Sequence, residues 1–149
     1  MSAASNAFES AILRHVLLNE SIPGIGDAAG LPAPAAAGNV YIGFHTEDPG
    51  EAGNQGTSEA NYPGYVRVAV PRGAAGWTEA NGSATNAADI NWPAATGGTQ
   101  TLAYLSIGTS ASGAGMIIAR LALANPSSLA ITAGVAPKFA AGKITVSVD

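Results

Sequence analysis

The sequence predicts a mainly β protein: an antiparallel β-sandwich or jelly roll with one N-terminal α-helix and an extended Pro/Gly arm. Three observations predict it. About seven to nine short stretches carry apolar residues at strand spacing. Turn residues separate them at modest intervals, and no helical periodicity falls between them, which argues against a parallel βα sheet. The one stretch with helical periodicity, residues 6–18, lies near the N-terminus.

The helix is expected to start on a capping box made by Asn6 and Glu9. Phe8, Ile12 and Val16 form one apolar row along it, and Leu13 and Leu17 a second. One row suffices to dock a helix on its own core, so two rows point to a second partner or to a helix wedged deep in its own domain. Residues 20–39 are dense in Gly and Pro and read as an arm. Residues 1–39 are thus expected to form helix and arm, and 40–149 a β body, in a single domain. Deleting residues 1–20 is then expected to leave a folded sandwich.

In the body, Val40, Ile42 and Phe44 alternate with Tyr41, Gly43 and His45 as the first strand. Residues 46–62 read as a long polar loop. The strand at 65–70 should put Val66, Val68 and Val70 on one face and Tyr65, Arg67 and Ala69 on the other, ending at Pro71. Arg67 should be exposed or paired across a subunit contact. Short strands follow near 76–78 and 87–92, then a stronger one at 101–108. It is expected to form a hairpin with 116–123 across the turn at 109–115. Segments at 129–131 and 135–139 precede a last strand with Ile144, Val146 and Val148 facing in.

Composition narrows the function. Charged residues make up 11% of the chain, the net charge is −4, and there is no cysteine. Without a basic patch, nucleic-acid binding is not expected. Disulfides and thiolate metal sites cannot form. Neither a basic region ahead of an apolar stretch nor an uninterrupted apolar run of about 18 residues is present, so neither a signal peptide nor a membrane span is expected. Low charge suits a surface packed against neighbours.

Few residues suggest chemistry. His45, Glu47, Asp48 and Glu51 could ligate a cation, but Asp48-Pro49-Gly50 is also a plain turn, and no metal or cofactor is expected. The histidines are His15 and His45, and no Gly-x-Ser-x-Gly elbow occurs. The acids between Glu47 and Glu59 lie in a solvated loop, unlike the paired carboxylates of a glycosidase. No catalytic residue is expected. Trp77, Trp92, Tyr41, Tyr65 and Tyr104 could build a sugar platform or fill a core.

The order of motifs adds a resemblance. The helix Ser5-Asn-Ala-Phe-Glu-Ser-Ala-Ile-Leu-Arg-His-Val-Leu17 precedes Val40-Tyr-Ile-Gly-Phe-His-Thr-Glu-Asp-Pro-Gly-Glu-Ala-Gly53. Gly64-Tyr-Val-Arg-Val-Ala-Val70 and Asn86-Ala-Ala-Asp-Ile-Asn-Trp-Pro-Ala-Ala95 follow. Leu105-Ser-Ile-Gly108 and Phe139-Ala-Ala-Gly-Lys-Ile-Thr-Val146 close the series. This layout resembles small tailed-phage virion proteins, often labelled tail fibre proteins, some of which look like capsid decoration or cement proteins. The resemblance implies a non-enzymatic virion structural protein. Its main reading is a cement protein on the outer capsid surface, made in the host cytoplasm. As such it would bridge subunits of the major capsid protein and associate with itself as a homodimer or homotrimer. The alternative is a tail or tail-fibre component that contacts the host. Expected interface residues are Phe8, Ile12, Leu13, Val16, Leu17, Tyr41, Tyr65 and Arg67.

Overall fold

A computed structural model describes residues 3–148. The strands are β1 (Asn39–His45), β2 (Val68–Pro71), β3 (Trp77–Ala80), β4 (Ser83–Asn86), β5 (Ile90–Asn91) and β6 (Thr99–Leu102). They continue as β7 (Tyr104–Gly108), β8 (Ile117–Ala122), β9 (Leu129–Thr132), β10 (Lys138–Phe139) and β11 (Thr145–Ser147). Among the described residues one helix, α1 (Asn6–Leu18), precedes them. The expected class holds: mainly β, antiparallel, with an N-terminal helix. The pairing does not establish a jelly roll, because the strands divide over four sheets of orders β2-β1-β7-β8, β11-β4-β3, β10-β5 and β6-β9.

The residues group into two compact units. The first holds residues up to Asn39, Pro71–Ile90 and residues from Phe139 onward. In it α1 packs on β3 and β4. Ser5, not Asn6, is the N-cap: its backbone is extended and its Oγ accepts from the Phe8 N–H at 3.4 Å. That makes Asn6 the first helical residue and leaves Glu9 in the first turn, where a carboxylate meets the positive end of the helix dipole. The helix ends at Asn19 in the left-handed region, and the Glu20 N–H closes the last turn on the Arg14 carbonyl at 3.2 Å.

Leu13, Leu17, Ile22, Trp77, Ala84, Ile144 and Val146 fill this unit's core. The expected inward facing of Ile144 and Val146 therefore stands, with Val148 half-buried. The β3–β4 hairpin turns on Asn81 and Gly82 at φ 55° and 75°, the two left-handed positions of a tight hairpin. The buried Asn86 side chain fastens the C-terminal segment. Its Oδ1 accepts from the Ile144 N–H at 2.8 Å, and its Nδ2 donates to the Ala88 and Ala140 carbonyls at 2.8 and 2.9 Å.

The arm is not extended throughout. Ile22 and Leu31 exchange backbone hydrogen bonds of 3.0 and 2.8 Å, closing residues 22–31 into a loop. Asp27 Oδ1 takes the Ala29 and Gly30 N–H groups inside it. Gly30, at φ 67°, leaves no room for a Cβ beside the Ile22 carbonyl.

The second unit, Val40–Val70 with Asn91–Lys138, carries the four-stranded sheet. Ile42 pairs with Ile107 and Phe44 with Leu105, and all four are buried. With Val40 and Val70 they supply the apolar layer expected from alternation. Trp92 lies against Phe44, ring centroids 4.5 Å apart. The expected β7–β8 hairpin forms, with a register shift at Ile107/Gly108. The single strand expected at 101–108 is instead broken at Ala103 into β6 and β7, and β6 pairs with β9.

Candidate functional site

Gly43, His45, Ser106 and Gly108 occupy the alternate positions of β1 and β7, so they face away from the apolar layer. All four are nonetheless buried. The residues that satisfy them come from the loop 46–62 and the turn after β7.

Gln55 is fully buried. Its Nε2 donates to the Tyr41 carbonyl at 3.1 Å, and its Oε1 accepts from the Ser110 N–H at 2.9 Å. Gly108 and Gly115 form its slot, since a Cβ on either would overlap its amide. His45 holds the loop at a second point. Its Nδ1 lies 2.8 Å from the Thr57 carbonyl, which fixes Nδ1 as the protonated nitrogen. Its Nε2 therefore accepts from the Ser106 hydroxyl at 2.7 Å. Burial pushes the His45 pKa below its usual value, against the smaller raising effect of the Thr57 bond. Ser106 and His45 have the pairing of a nucleophile and base, but both are fully buried, so no substrate reaches the Ser106 oxygen in this arrangement.

The third point is ionic. Arg67 Nε and Nη2 meet the two Glu59 carboxylate oxygens at 2.6 and 2.7 Å. Its Nη1 donates to the Ser110 carbonyl at 2.9 Å and its Nη2 also to the Gly113 carbonyl at 2.7 Å. The Tyr65 hydroxyl donates to Glu59 Oε1 and accepts from the Phe44 N–H, each at 3.0 Å. Burial and the Glu59 charge hold the Tyr65 pKa far above its usual value. Gly43 lets that hydroxyl approach the sheet: a Cβ there would stand 2.9 Å from it.

Above this cluster is a groove of about 350 Å³. Ala60, Asn61, Tyr65, Val66, Ala111 and Gly113 line it, over the Glu59–Arg67 pair. Val66 is 52% exposed at its rim. Ser112 completes its lining, and the Glu59–Arg67 pair at its floor is already engaged, each partner with the other.

The expected site residues fall in different places. Leu13 and Leu17 are spent in the core of the first unit. Ile12 and Val16 are half-buried, and Phe8 is exposed. Tyr41 is half-buried in β1. Tyr65 and Arg67 are brought together through Glu59. Arg67 reverses its expected exposure because β2 begins only at Val68; ahead of it the chain turns the Arg67 side chain inward and Val66 outward. Trp77 and Trp92 are buried in their cores, so the sugar platform that needed them on the surface is not formed. His45, Glu47, Asp48 and Glu51 do not converge. Asp48 takes the Gly50 N–H and the Arg120 guanidinium instead. Among the described residues no group of three or more His, Asp or Glu is placed to hold a metal ion.

Sequence reasoning missed Glu59 and Gln55. A Gln in a Gly-rich loop carries no local sign of burial. The closest sign is the pair of distant glycines, Gly108 and Gly115, which make room for it.

Among known proteins, the family model described as "Podophage GP4 fiber I protein gp80" matches residues 3–147. No curated protein matches the chain.

Proposed function

The chain belongs to the podophage GP4 fiber I protein family, and from that premise we propose that it is a fibre component of the phage tail that contacts the host surface. As a virion structural protein it acts by binding, with no chemical step. The match over residues 3–147, under a fibre description, carries this reading. The candidate site supports it. Gln55 and His45 each join loop 46–62 to β1, and Arg67 joins that loop to the turn after β7, with satisfied hydrogen bonds. That is how a rigid presenting surface is built, since ordering is completed before a partner arrives.

A capsid decoration (cement) role is the second reading, and one observation favours it. Residues 22–31 form a closed loop that leaves Ile25 and Leu31 exposed, apolar surface that a neighbouring subunit would cover. In that reading the partner is the major capsid protein and the place is the outer capsid surface. Gold-labelled antibody against the chain, imaged on intact particles, separates the two. Label confined to the tail supports the fibre role. Label spread over the head replaces it with the cement role.

A further inference from the structure

The structure assigns loop 46–62 an acid-sensitive latch, in which a proton taken up by His45 loosens the span 47–57 from the sheet while the rest of the second unit stays folded. The base of the loop is fixed. The Thr46 N–H donates to the Ser58 carbonyl and the Ala60 N–H to the Phe44 carbonyl, each at 2.9 Å, so residues 58–60 stay on β1. The span between is lightly held. Within residues 47–57 the buried ones are Pro49 and Gln55. A segment with so few buried groups opens at lower cost than the whole fold. Its ties to the rest of the unit run through three points: Thr57 on His45, Gln55 in its slot, and Asp48 with Glu51 on Arg120.

The chemistry lies at Nε2. In the neutral ring Nδ1 donates to the Thr57 carbonyl and Nε2 accepts from the Ser106 hydroxyl, so both nitrogens are committed. A proton added at Nε2 sets an N–H against that O–H, and the hydroxyl must turn its hydrogen away. The ring is also fully buried, so water does not reach the new charge. Three charged groups act on it: Glu59 and Asp48 favour the proton and Arg67 opposes it. The Thr57 carbonyl favours it too, yet burial outweighs these and the pKa falls below 6.5. His45 itself cannot leave, because β1 is paired there with Tyr104 of β7. The cover is what moves. Lifting the span lets water reach the charged ring, so the open form binds the proton more tightly and acid favours it. Gln55 leaves its slot in the same step, breaking its bonds to the Tyr41 carbonyl and the Ser110 N–H.

Amide hydrogen exchange of the full chain, read residue by residue by NMR as protection factors at pH 7.5 and 5.5, tests the latch. The N–H groups of Gln55 and Ser110 lose their acceptors on opening. Those of Ala60 and Ala103 keep theirs and report unfolding of the unit. Protection at Gln55 and Ser110 is expected to fall about five- to tenfold between the two pH values, the range open to a group with an ordinary pKa of 6.5. At both values it should stay at least about tenfold below that at Ala60 and Ala103. His45→Gln should abolish the difference between the two pH values. Loop protection that ignores pH, loop amides as protected as Ala60 and Ala103, or a pH effect that survives in His45→Gln would each overturn the latch. Should His45→Gln not fold, the His45 ring of the unaltered chain decides, through the titration of its Cε1 proton. A midpoint below 6.5 supports the latch, and one at or above 6.5 overturns it. Either outcome leaves the fibre reading to be decided by labelling.

Discussion

Arg67 and Glu59 form a two-point ion pair, Nε to Oε1 at 2.6 Å and Nη2 to Oε2 at 2.7 Å, in which only 2% of the arginine side chain is exposed. The guanidinium also serves two turn carbonyls, so loop 46–62 and the turn after β7 depend on one side chain. Removing one member of a buried pair leaves the other uncompensated, at a cost of about 3–5 kcal/mol. Glu59→Ala strands the more buried charge, so it should cost about 3 kcal/mol or more in urea unfolding. Arg67→Met leaves a carboxylate that water still reaches, and should cost less. The double variant should recover part of the Glu59→Ala loss.

Two neighbouring tyrosines should respond oppositely to loss of their hydroxyls. Tyr62 and Tyr65 meet edge to face at 5.3 Å. The Tyr62 hydroxyl is buried without a partner, so Tyr62→Phe removes a desolvated group and no bond. Its stability should be unchanged or higher by about 1 kcal/mol. Tyr65→Phe loses one bond to a carboxylate and one from a backbone N–H. It should cost about 2 kcal/mol. Paired thermal melts of the two variants check the contrast.

His45 should make the protein sensitive to mild acid. Its folded pKa is lowered from 6.5, first by burial, with the Arg67 charge adding to it. The unfolded chain then binds a proton that the folded chain refuses, so stability is complete above about pH 6.5 and falls as pH drops toward the folded value. The lowered carboxylates Asp48 and Glu79 act in a separate window, below their ordinary values of 3.8 and 4.5. Urea midpoints should therefore be flat from pH 8 to 7 and decline between about pH 6.5 and 5. His45→Gln should be less stable at neutral pH and flatter across that window.

What the sequence made legible was periodicity. Val40, Ile42 and Phe44 were readable because one face of β1 meets an apolar layer, and Leu105 and Ile107 for the same reason. The Ser83–Asn86 strand was not readable by that route, since Ala84 is its one apolar residue. The Asn81-Gly82 pair before it was the available signal, because those two residues tolerate the positive φ that a tight hairpin demands. The break at Ala103 leaves no mark in a stretch that alternates on both sides of it. At the site, alternation misled. Val66 and Val70 share a period but not a fate, because the chain is not yet a strand at Val66. Burial of Arg67 and Gln55 depends on Glu59 and two distant glycines, and one-dimensional spacing does not encode such partners.

The Asn81-Gly82 turn tests whether a local signal carries the hairpin. Gly82 sits at φ 75°, and its N–H donates to Glu79 Oε1 at 2.9 Å and to Ser10 Oγ at 3.1 Å. Gly82→Ala puts a side chain into a conformation that costs roughly 1–2 kcal/mol for an L-residue. A loss of about 1 kcal/mol or more in thermal or urea unfolding is expected, with β3–β4 amides losing exchange protection first. Asn81→Ala should cost less than Gly82→Ala, since Asn already carries a Cβ.

Deleting residues 1–20 was expected to leave a folded sandwich, and the bonds of Arg72 argue for the opposite outcome. Its Nε and Nη2 each donate at 2.6 Å, to the Val16 and His15 carbonyls, and Nη1 donates to the Ala37 carbonyl at 3.0 Å. The Gly73 N–H adds a bond to the Leu17 carbonyl at 2.8 Å. These are carbonyls of the last helical turn, where a cation also meets the negative end of the dipole. Arg72→Ala should therefore cost about 2–3 kcal/mol. Arg72→Lys should restore less than half, because a single ammonium cannot reproduce the fork. Leu17→Ala should cost about 2–5 kcal/mol, as for other core leucines. Deleting residues 1–20 removes Leu13, Leu17 and Arg72's helix acceptors together. That chain should lose the cooperative unfolding of the unit built on β3, β4 and β11, with the Trp77 fluorescence shifting toward that of a solvated indole.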